Sequence, residues 1–333
     1  MINESYPQLL AVSCMLPPTK MLTSDAIYEG YCSNDTFIKS KFRSVCTEYN
    51  DYPIDMALRS ALCVTKDSSL QDLEWIFYSH IHYQGQPKLW SPASYLQHHL
   101  SENKALPVNI NQGCNGLMLT IDMACSLLKK NKSGKILCSS GDRFNISKFR
   151  RWSSDYSIVY GDGASSILLG FDSNAIADIL AIESISEPTL ESMHRYPFGV
   201  LEDSIDLYDI RATKKRYILS EGIEELTKKT QKSLQQLWKK IMVSTGVKNN
   251  DINYLILPHL GEDLLKKNYL SILNFPNATN NINEGLDIGH LGCSDPLVGL
   301  TSVVNSKPAS GELAVIIGAG AGFSWSLCLM RFR

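Results

Sequence analysis

At 333 residues, with 44% hydrophobic and 20% charged side chains, the chain has ordinary globular composition, which excludes disorder, collagen and coiled coil as whole-chain readings. It is long for one simple core, and a prior of about 150 residues per domain points to two domains or two fused halves. A formal charge of −2 argues against nucleic acid or an anionic membrane surface as the main partner, and the sequence holds no run of about 18 apolar residues to span a membrane.

In chain order, the opening stretch 1–18 has no basic segment of the kind that begins a secretory leader. An apolar strand is predicted over 75–78, and a short β-like run from Val108 meets a Gly-flanked cysteine, Cys114, where a helix over 116–129 begins at once. Strands follow over 135–139 and, after the turn Tyr160-Gly-Asp-Gly163, over 165–170. The segment 186–216 is polar, aromatic-studded and irregular, and reads as a cap over a pocket. A helix over 220–242 and a strand over 254–257 lead to a Gly-rich turn and a helix from Pro296. Strands over 313–317 and 324–332 close the chain, joined by Gly318-Ala-Gly-Ala-Gly322. Alternating strand and helix predicts an α/β fold with buried sheets. The glycine run leads into a strand rather than a helix, so it is no dinucleotide fingerprint.

The two halves resemble each other. Asp72-Leu-Glu-Trp-Ile-Phe-Tyr-Ser-His80 matches Asp251-Ile-Asn-Tyr-Leu-Ile-Leu-Pro-His259, Gly113-Cys-Asn-Gly116 matches Gly289-His-Leu-Gly292, and the strand after Gly134 matches the strand after Gly311. Three matches in order at nearly one spacing predict a duplicated unit, with boundaries at 1–170 and 171–333. In such a fold, functional groups gather where strand ends and helix starts of both halves converge. The residues at those points are Cys114, His259 and His290.

A cysteine beside a helix N-terminus faces free N–H groups and the positive end of the helix dipole, both of which favour thiolate. A small buried core cysteine is the other reading of the same context. His259 ends the run Tyr254-Leu-Ile-Leu-Pro-His, which aims an imidazole into the crevice at the sheet end; a hydrogen-bonded structural histidine fits equally. His290 lies in Ile288-Gly-His-Leu-Gly-Cys-Ser-Asp295 with the same two readings. His80, His82, His98, His99 and His194 lack such a setting and read as structural or surface residues. Nine cysteines at irregular spacing contain no Cys-x-x-Cys pair, so no metal and no disulfide framework is expected, and free thiols suit a cytoplasmic protein.

Four motifs together resemble the ketoacyl-acyl-carrier-protein synthase III family of the thiolase superfamily: Gln-Gly-Cys114-Asn-Gly-Leu, Tyr-Gly-Asp162-Gly-Ala, Leu-Pro-His259 and Gly-Ala-Gly-Ala-Gly-Phe-Ser-Trp325. The stretch Leu16-Pro-Pro-Thr-Lys-Met-Leu-Thr-Ser-Asp25 looks like that family's first strand and loop, so the resemblance spans essentially the whole chain. It implies a homodimer of five-layered αβαβα subunits in which Cys114 takes an acyl group from acyl-coenzyme A or acyl-carrier protein, with no resident cofactor. The backbone N–H groups of Cys114 and Ala321 are implied as the oxyanion hole.

The departures carry information of their own. His290 stands where the family usually has asparagine, Asp295 stands where it has a small or apolar residue, and Leu260-Gly-Glu-Asp replaces Gln-Ala-Asn after His259. Gly-His-x-Gly-x-x-Asp resembles the loop of an acyl-shuttle branch found in natural-product pathways. The resemblance therefore implies an acyltransferase that passes the acyl group from Cys114 to a carrier thiol, an alcohol or an amine, with His259 and His290 catalytic and Asp295 in support. The alternatives are decarboxylative Claisen condensation at a Cys-His-His site, as in ketoacyl synthases I and II, and a non-catalytic partner subunit. For Asp295, capping the helix from Pro296 is a further reading.

Overall fold

The computed structural model describes residues 6–87, 89–100, 104–146, 148–201 and 204–333. Residues 1–5, part of the stretch read as leaderless, and residues 202 and 203 of the expected cap lie outside the described residues. The strands are β1 (Gln8–Met15), β2 (Lys20–Leu22), β3 (Ser44–Cys46), β4 (Leu73–Ser79), β5 (Leu106–Ile110), β6 (Lys135–Asp142), β7 (Gly163–Gly170), β8 (Ala177–Ser186), β9 (Tyr254–Ile256), β10 (Thr279–Asn280), β11 (Leu313–Gly320) and β12 (Ser324–Phe332). The helices are α1 (Thr23–Tyr28), α2 (Asn34–Ser40), α3 (Pro53–Thr65), α4 (Pro92–His99), α5 (Gly116–Asn131), α6 (Ile210–Glu221), α7 (Ile223–Thr245), α8 (Glu262–Leu265), α9 (Ile282–Ile288) and α10 (Asp295–Asn305).

Apart from the β2–β3 pair, the strands form one mixed sheet in the order β10-β9-β11-β12-β8-β1-β7-β6-β4-β5. Read inward from each edge, β5-β4-β6-β7-β1 is repeated by β10-β9-β11-β12-β8. The repeat extends to strand direction: β4 runs parallel to β5 and β6 as β9 does to β10 and β11, and β7 and β12 are antiparallel to their neighbours. Among the described residues, the two sets pair in the sheet where Gln8 and Leu9 of β1 meet Asp178 and Ala177 of β8.

Side-chain alternation along the strands builds the layers. On β11, Ala314 and Ile316 face a central core, while Leu313, Val315 and Ile317 face an outer one. On β4, Phe77 faces the central core, while Ile76 and Tyr78 face the opposite outer one. The central core holds α5 and α10, with Leu117, Met118, Ile121, Leu297 and Leu300 between strands of both sets. Helices α3 and α4 cover one outer face and α7 the other. The result is α/β/α/β/α, the predicted five-layered thiolase-like fold. Its middle helix α5 buries Leu117, Met118, Thr120, Ile121, Ala124, Cys125 and Leu128.

Three local expectations change. The helix expected over 220–242 is two helices: Gly222, with φ of +87°, breaks the chain between α6 and α7. Helix α7 then buries Leu234, Leu237, Trp238 and Ile241 at helical spacing. The first strand is Gln8–Met15 and precedes Leu16, whose segment is instead a turn leading to β2 and α1. The segment 186–216 is more regular than expected, with a 3₁₀ turn over Pro188–Met193 and the start of α6.

The turn Tyr160-Gly-Asp-Gly163 is held by a buried ion pair. Asp162 accepts two hydrogen bonds from the Arg151 guanidinium at 2.8 and 3.1 Å, and the N–H groups of Glu48 and Phe144 at 2.7 Å each. Losing the carboxylate strands a buried guanidinium, so Asp162→Ala is expected to cost about 3–5 kcal/mol of unfolding free energy. Urea denaturation followed by tryptophan fluorescence measures it, and a loss under about 1 kcal/mol would mean that water relieves the pair.

Candidate active site

Cys114 sits between β5 and α5, just before Asn115 at the start of the helix. Two close approaches shape the turn. Gly113 has φ of +52°, and a Cβ there would lie 3.1 Å from Ala321 N. A Cβ at Gly320 would lie 2.4 Å from Asn115 N, so only glycine lets the C-terminal loop reach the turn. Asn115, fully buried, donates to Ser324 and Ser326 at 3.1 and 3.0 Å, and Cys293 Sγ donates to Gly113 O at 3.1 Å. The cysteine, β12 and the loop before α10 are thereby tied together.

His290 is fixed through its backbone. Its N–H donates to Val159 O at 2.8 Å, and its carbonyl accepts from Gly161 N at 3.0 Å. The turn read from sequence as a lead-in to β7 is thus also the clamp on the His290 loop. The His290 ring bridges two groups. Nε2 lies 3.1 Å from Cys114 Sγ, and Nδ1 makes a short hydrogen bond to Asp295 Oδ2. The phenol ring of Tyr160 flanks the imidazole at 5.3 Å between centroids.

Asp295 is 1% exposed. It accepts from Leu291 N at 2.6 Å and His259 N at 2.9 Å as well as from His290. The capping reading is corrected: α10 begins at Asp295 itself, its N-cap is Ser294, and the carboxylate points back into the loop. Burial alone would lower the pKa of His290, but the charges of Asp295 and Cys114 outweigh it and push the imidazole well above its ordinary value. Burial would raise Asp295, but His290, His259 and the hydrogen bonds hold the carboxyl below its usual range.

His259 follows a different course. It is 1% exposed, and its Nδ1 bonds to Gly289 O at 2.9 Å. Its Nε2 has no hydrogen-bond partner among the described residues. Gly285 packs against the ring, where a Cβ would come within 2.9 Å. The structure therefore joins Cys114, His290 and Asp295 directly, and brings His259 to Asp295 through its main-chain N–H, with its Nδ1 3.7 Å from Asp295 Oδ1.

Cys114, His290 and Ala321 line a cavity of about 730 Å³; His259 is absent from its lining. The 186–216 segment covers it with Met193, His194, Tyr196 and Tyr208, α6 adds Ile210, Lys214 and Ile218, and α7 adds Ile223 and Leu226. Two histidines read as structural or surface from sequence, His82 and His194, also line this cavity. Burial pushes both down to about 4. His82 is presented by Asp142, which accepts from Ile81 N and His82 N at 2.8 and 2.9 Å. Its place two residues after the His80 strand end was the available signal.

The family models for 3-oxoacyl-[acyl-carrier-protein] synthase III match residues 108–188, and for its C-terminal part residues 242–332. A beta-ketoacyl-[acyl-carrier-protein] synthase III of Desulfotalea psychrophila is 22% identical over 326 residues, covering 96% of this chain and 97% of the relative. The solved structure of "ChlB3 [Aceyltransferase]" superposes with a TM-score of 0.90 at 24% identity, over 98% of both chains. The 3-oxoacyl-(acyl carrier protein) synthase III of Pseudomonas aeruginosa PAO1 gives 0.78 at 16% identity, again over 98% of both. The two structural likenesses establish the fold.

The electrostatics yield a test. Asp295→Asn removes one raising charge from His290 and leaves that of Cys114 opposed by burial, so the imidazole titration is expected to fall towards its ordinary value. Carbon-13 NMR of the His290 ring follows it, and a titration that stays put would mean that Asp295 does not set the charge of this histidine.

Proposed function

We propose, from the premise that this chain belongs to the 3-oxoacyl-[acyl-carrier-protein] synthase III family of thiolase-fold enzymes, that it is an acyltransferase working through a Cys114–His290–Asp295 relay. Acyl-coenzyme A or an acyl-carrier protein is the donor, and an alcohol, amine or carrier thiol is the acceptor. The observation that carries this reading is the unbroken chain from Cys114 Sγ through both ring nitrogens of His290 to Asp295. A nucleophile, a base and an orienting carboxylate in contact are the parts of acyl transfer.

The steps follow from that contact. With the thiol proton resting on His290 Nε2, the Cys114 thiolate attacks the thioester carbonyl. In this reading the tetrahedral oxyanion is held by the N–H groups of Cys114 and Ala321, and the close packing of Ala321 on Gly113 supports it. Collapse forms the acyl-cysteine and expels the donor thiolate, which leaves with the proton from His290. The acceptor then gives its proton to His290 as its oxygen, nitrogen or sulfur attacks the acyl carbon, and Cys114 leaves and is reprotonated. Asp295 balances the imidazolium in both halves. No resident cofactor is called for, because the thioester supplies the activated acyl group. As in the family resemblance, a homodimer is the proposed working unit.

The placement of His259 favours this reading over decarboxylative condensation. A Cys-His-His condensing site directs two imidazoles at the thioester enolate. Here Nδ1–H of His259 donates to Gly289 O, so the neutral ring carries no hydrogen on Nε2 to donate to an enolate.

Intact-mass measurement after incubation with acyl-coenzyme A thioesters is expected to show one acyl addition, lost in Cys114→Ala; an addition that persists there assigns the nucleophile elsewhere. Asp295→Asn is expected to keep acyl loading but slow transfer to an alcohol or amine by about a hundredfold, within the range for acid–base groups. His290→Asn is expected to lose that transfer too. Full transfer by His290→Asn, or carbon dioxide release from a malonyl thioester with a C–C product, would return the protein to the condensing reading.

A further inference from the structure

Among the described residues that line the cavity, Asp155 is the one carboxylate and Lys214 the one lysine or arginine. They are paired: Lys214 Nζ donates to Asp155 Oδ1 at 2.5 Å, with side chains only 12% and 1% exposed. Desolvating two charges offsets their attraction, so a pair this far from water adds little net stability, and apolar residues would wall the cavity as well. Its other partners show what it holds. Asp155 also accepts from Tyr156 N at 2.6 Å and, through Oδ2, from the Tyr160 hydroxyl at 2.8 Å. Burial, and then the charge of Asp155, push the Tyr160 phenol well above its ordinary range, so it stays protonated and donates.

The Tyr160 ring is a wedge. Phe144 and Phe149 pack against it at 4.6 and 4.9 Å between centroids, and the His290 imidazole at 5.3 Å, all within the range of packed rings. Its hydroxyl end is fixed by Asp155, its body by two phenylalanines, and His290 rests against it. The link also crosses the cavity, because Lys214 belongs to α6, whereas Asp155 and Tyr160 belong to the segment between β6 and β7.

The two half-reactions call on this wedge unequally. Before loading, His290 is tied at both ring nitrogens, Nδ1 by Asp295 and Nε2 by the Cys114 sulfur. Acylation turns that sulfur from a thiolate into a thioester sulfur, a weak acceptor, and the Nε2 tether is lost. Asp295 and the face of the wedge are then what keep Nε2 aimed at the place where the acceptor attacks.

We propose that Tyr160, fixed by the Asp155–Lys214 pair, is a positioning residue that holds the His290 ring in place once Cys114 is acylated, and so serves transfer to the acceptor more than loading. The inference rests on the acyl-cysteine reading above and adds a residue to its second step.

The test times the two steps separately by intact mass. Cys114 is loaded from acetyl-, hexanoyl- or benzoyl-coenzyme A, free thioester is removed, and loss of the acyl group is followed in buffer with and without ethanolamine, which offers an amine and a hydroxyl. Tyr160→Phe keeps the ring and cuts its bond to Asp155. Asp155→Leu with Lys214→Met removes both charges together, so neither is left buried alone. Each is expected to slow acyl loss about tenfold, as a small misplacement of a catalytic group does, and to change loading by less than about twofold. Combining them is expected to slow acyl loss no further, because both cut the same link. A general loosening of the site would slow both steps alike. Equal slowing of the two steps, unchanged acyl loss in either variant, additive losses in the combination, or an acyl group that never leaves the unaltered protein overturns the inference and leaves Cys114 as the acylated residue. If the variant of the charge pair does not fold, Tyr160→Phe alone decides. Failure of the unaltered protein to load Cys114 from any of the three thioesters overturns the acyl-cysteine reading and the inference with it.

Discussion

One buried carboxylate organises the site. Asp295 sits at the first position of α10 and takes hydrogen bonds from three sources: the main chain after β9, the main chain of its own loop, and the His290 ring. A charge with so little exposure is tolerable only when it is paired and fully hydrogen-bonded. Those partners are also what orient His290 towards Cys114. Stability and geometry therefore draw on the same contacts. Replacing any partner would loosen the imidazole as well as unbalance the charge.

The pseudo-duplicated sheet explains why these groups meet. Helix α5 joins β5 to β6, and α10 occupies the matching place before β11. Both lie in the central layer between the two strand sets, with Leu117, Ile121, Leu297 and Leu300 in one core. Their N-terminal ends carry Cys114 and the His290 loop, in the matching motifs Gly113-Cys-Asn-Gly116 and Gly289-His-Leu-Gly292. Internal likeness between the halves thus brings two unlike groups, a thiol and an imidazole, to within 3.1 Å. The clamp from Tyr160-Gly-Asp-Gly163, anchored by Asp162 and Arg151, holds the second of them in register.

Much of this was legible in the sequence. Strand alternation and the matched segments were enough for an α/β fold of two like halves and for Cys114, His259 and His290 as candidates; the family resemblance supplied the five layers, and departures from it pointed to Asp295. Other features depend on tertiary contacts that local patterns do not encode. Asp295 followed by Pro296 carries the composition of a helix cap, yet its carboxylate turns back to main-chain donors from distant segments. His82 and His194 lie in unremarkable local sequence, and only folding of the cap against β12 and the Gly-rich loop brings them to one cavity. The break at Gly222 is a lone glycine in a polar helical run, where periodicity continues on both sides and hides it.

The division of labour between the two loop histidines follows from the same contacts. Two loops of the C-terminal half carry an imidazole, one after β9 and one between α9 and α10. Here Gly289 O binds the Nδ1 of His259, Gly285 closes on its ring, and its N–H is committed to Asp295. His290 instead has one nitrogen on the carboxylate and the other on the sulfur. A single base backed by a buried anion can accept a proton from the cysteine and later from an acceptor, which is the demand of sequential acyl transfer. Stabilising an enolate asks for two donors converging on one thioester oxygen. On the proposed acyl-transfer reading, a histidine where the resembled family usually has asparagine, backed by Asp295, favours the first arrangement over the second.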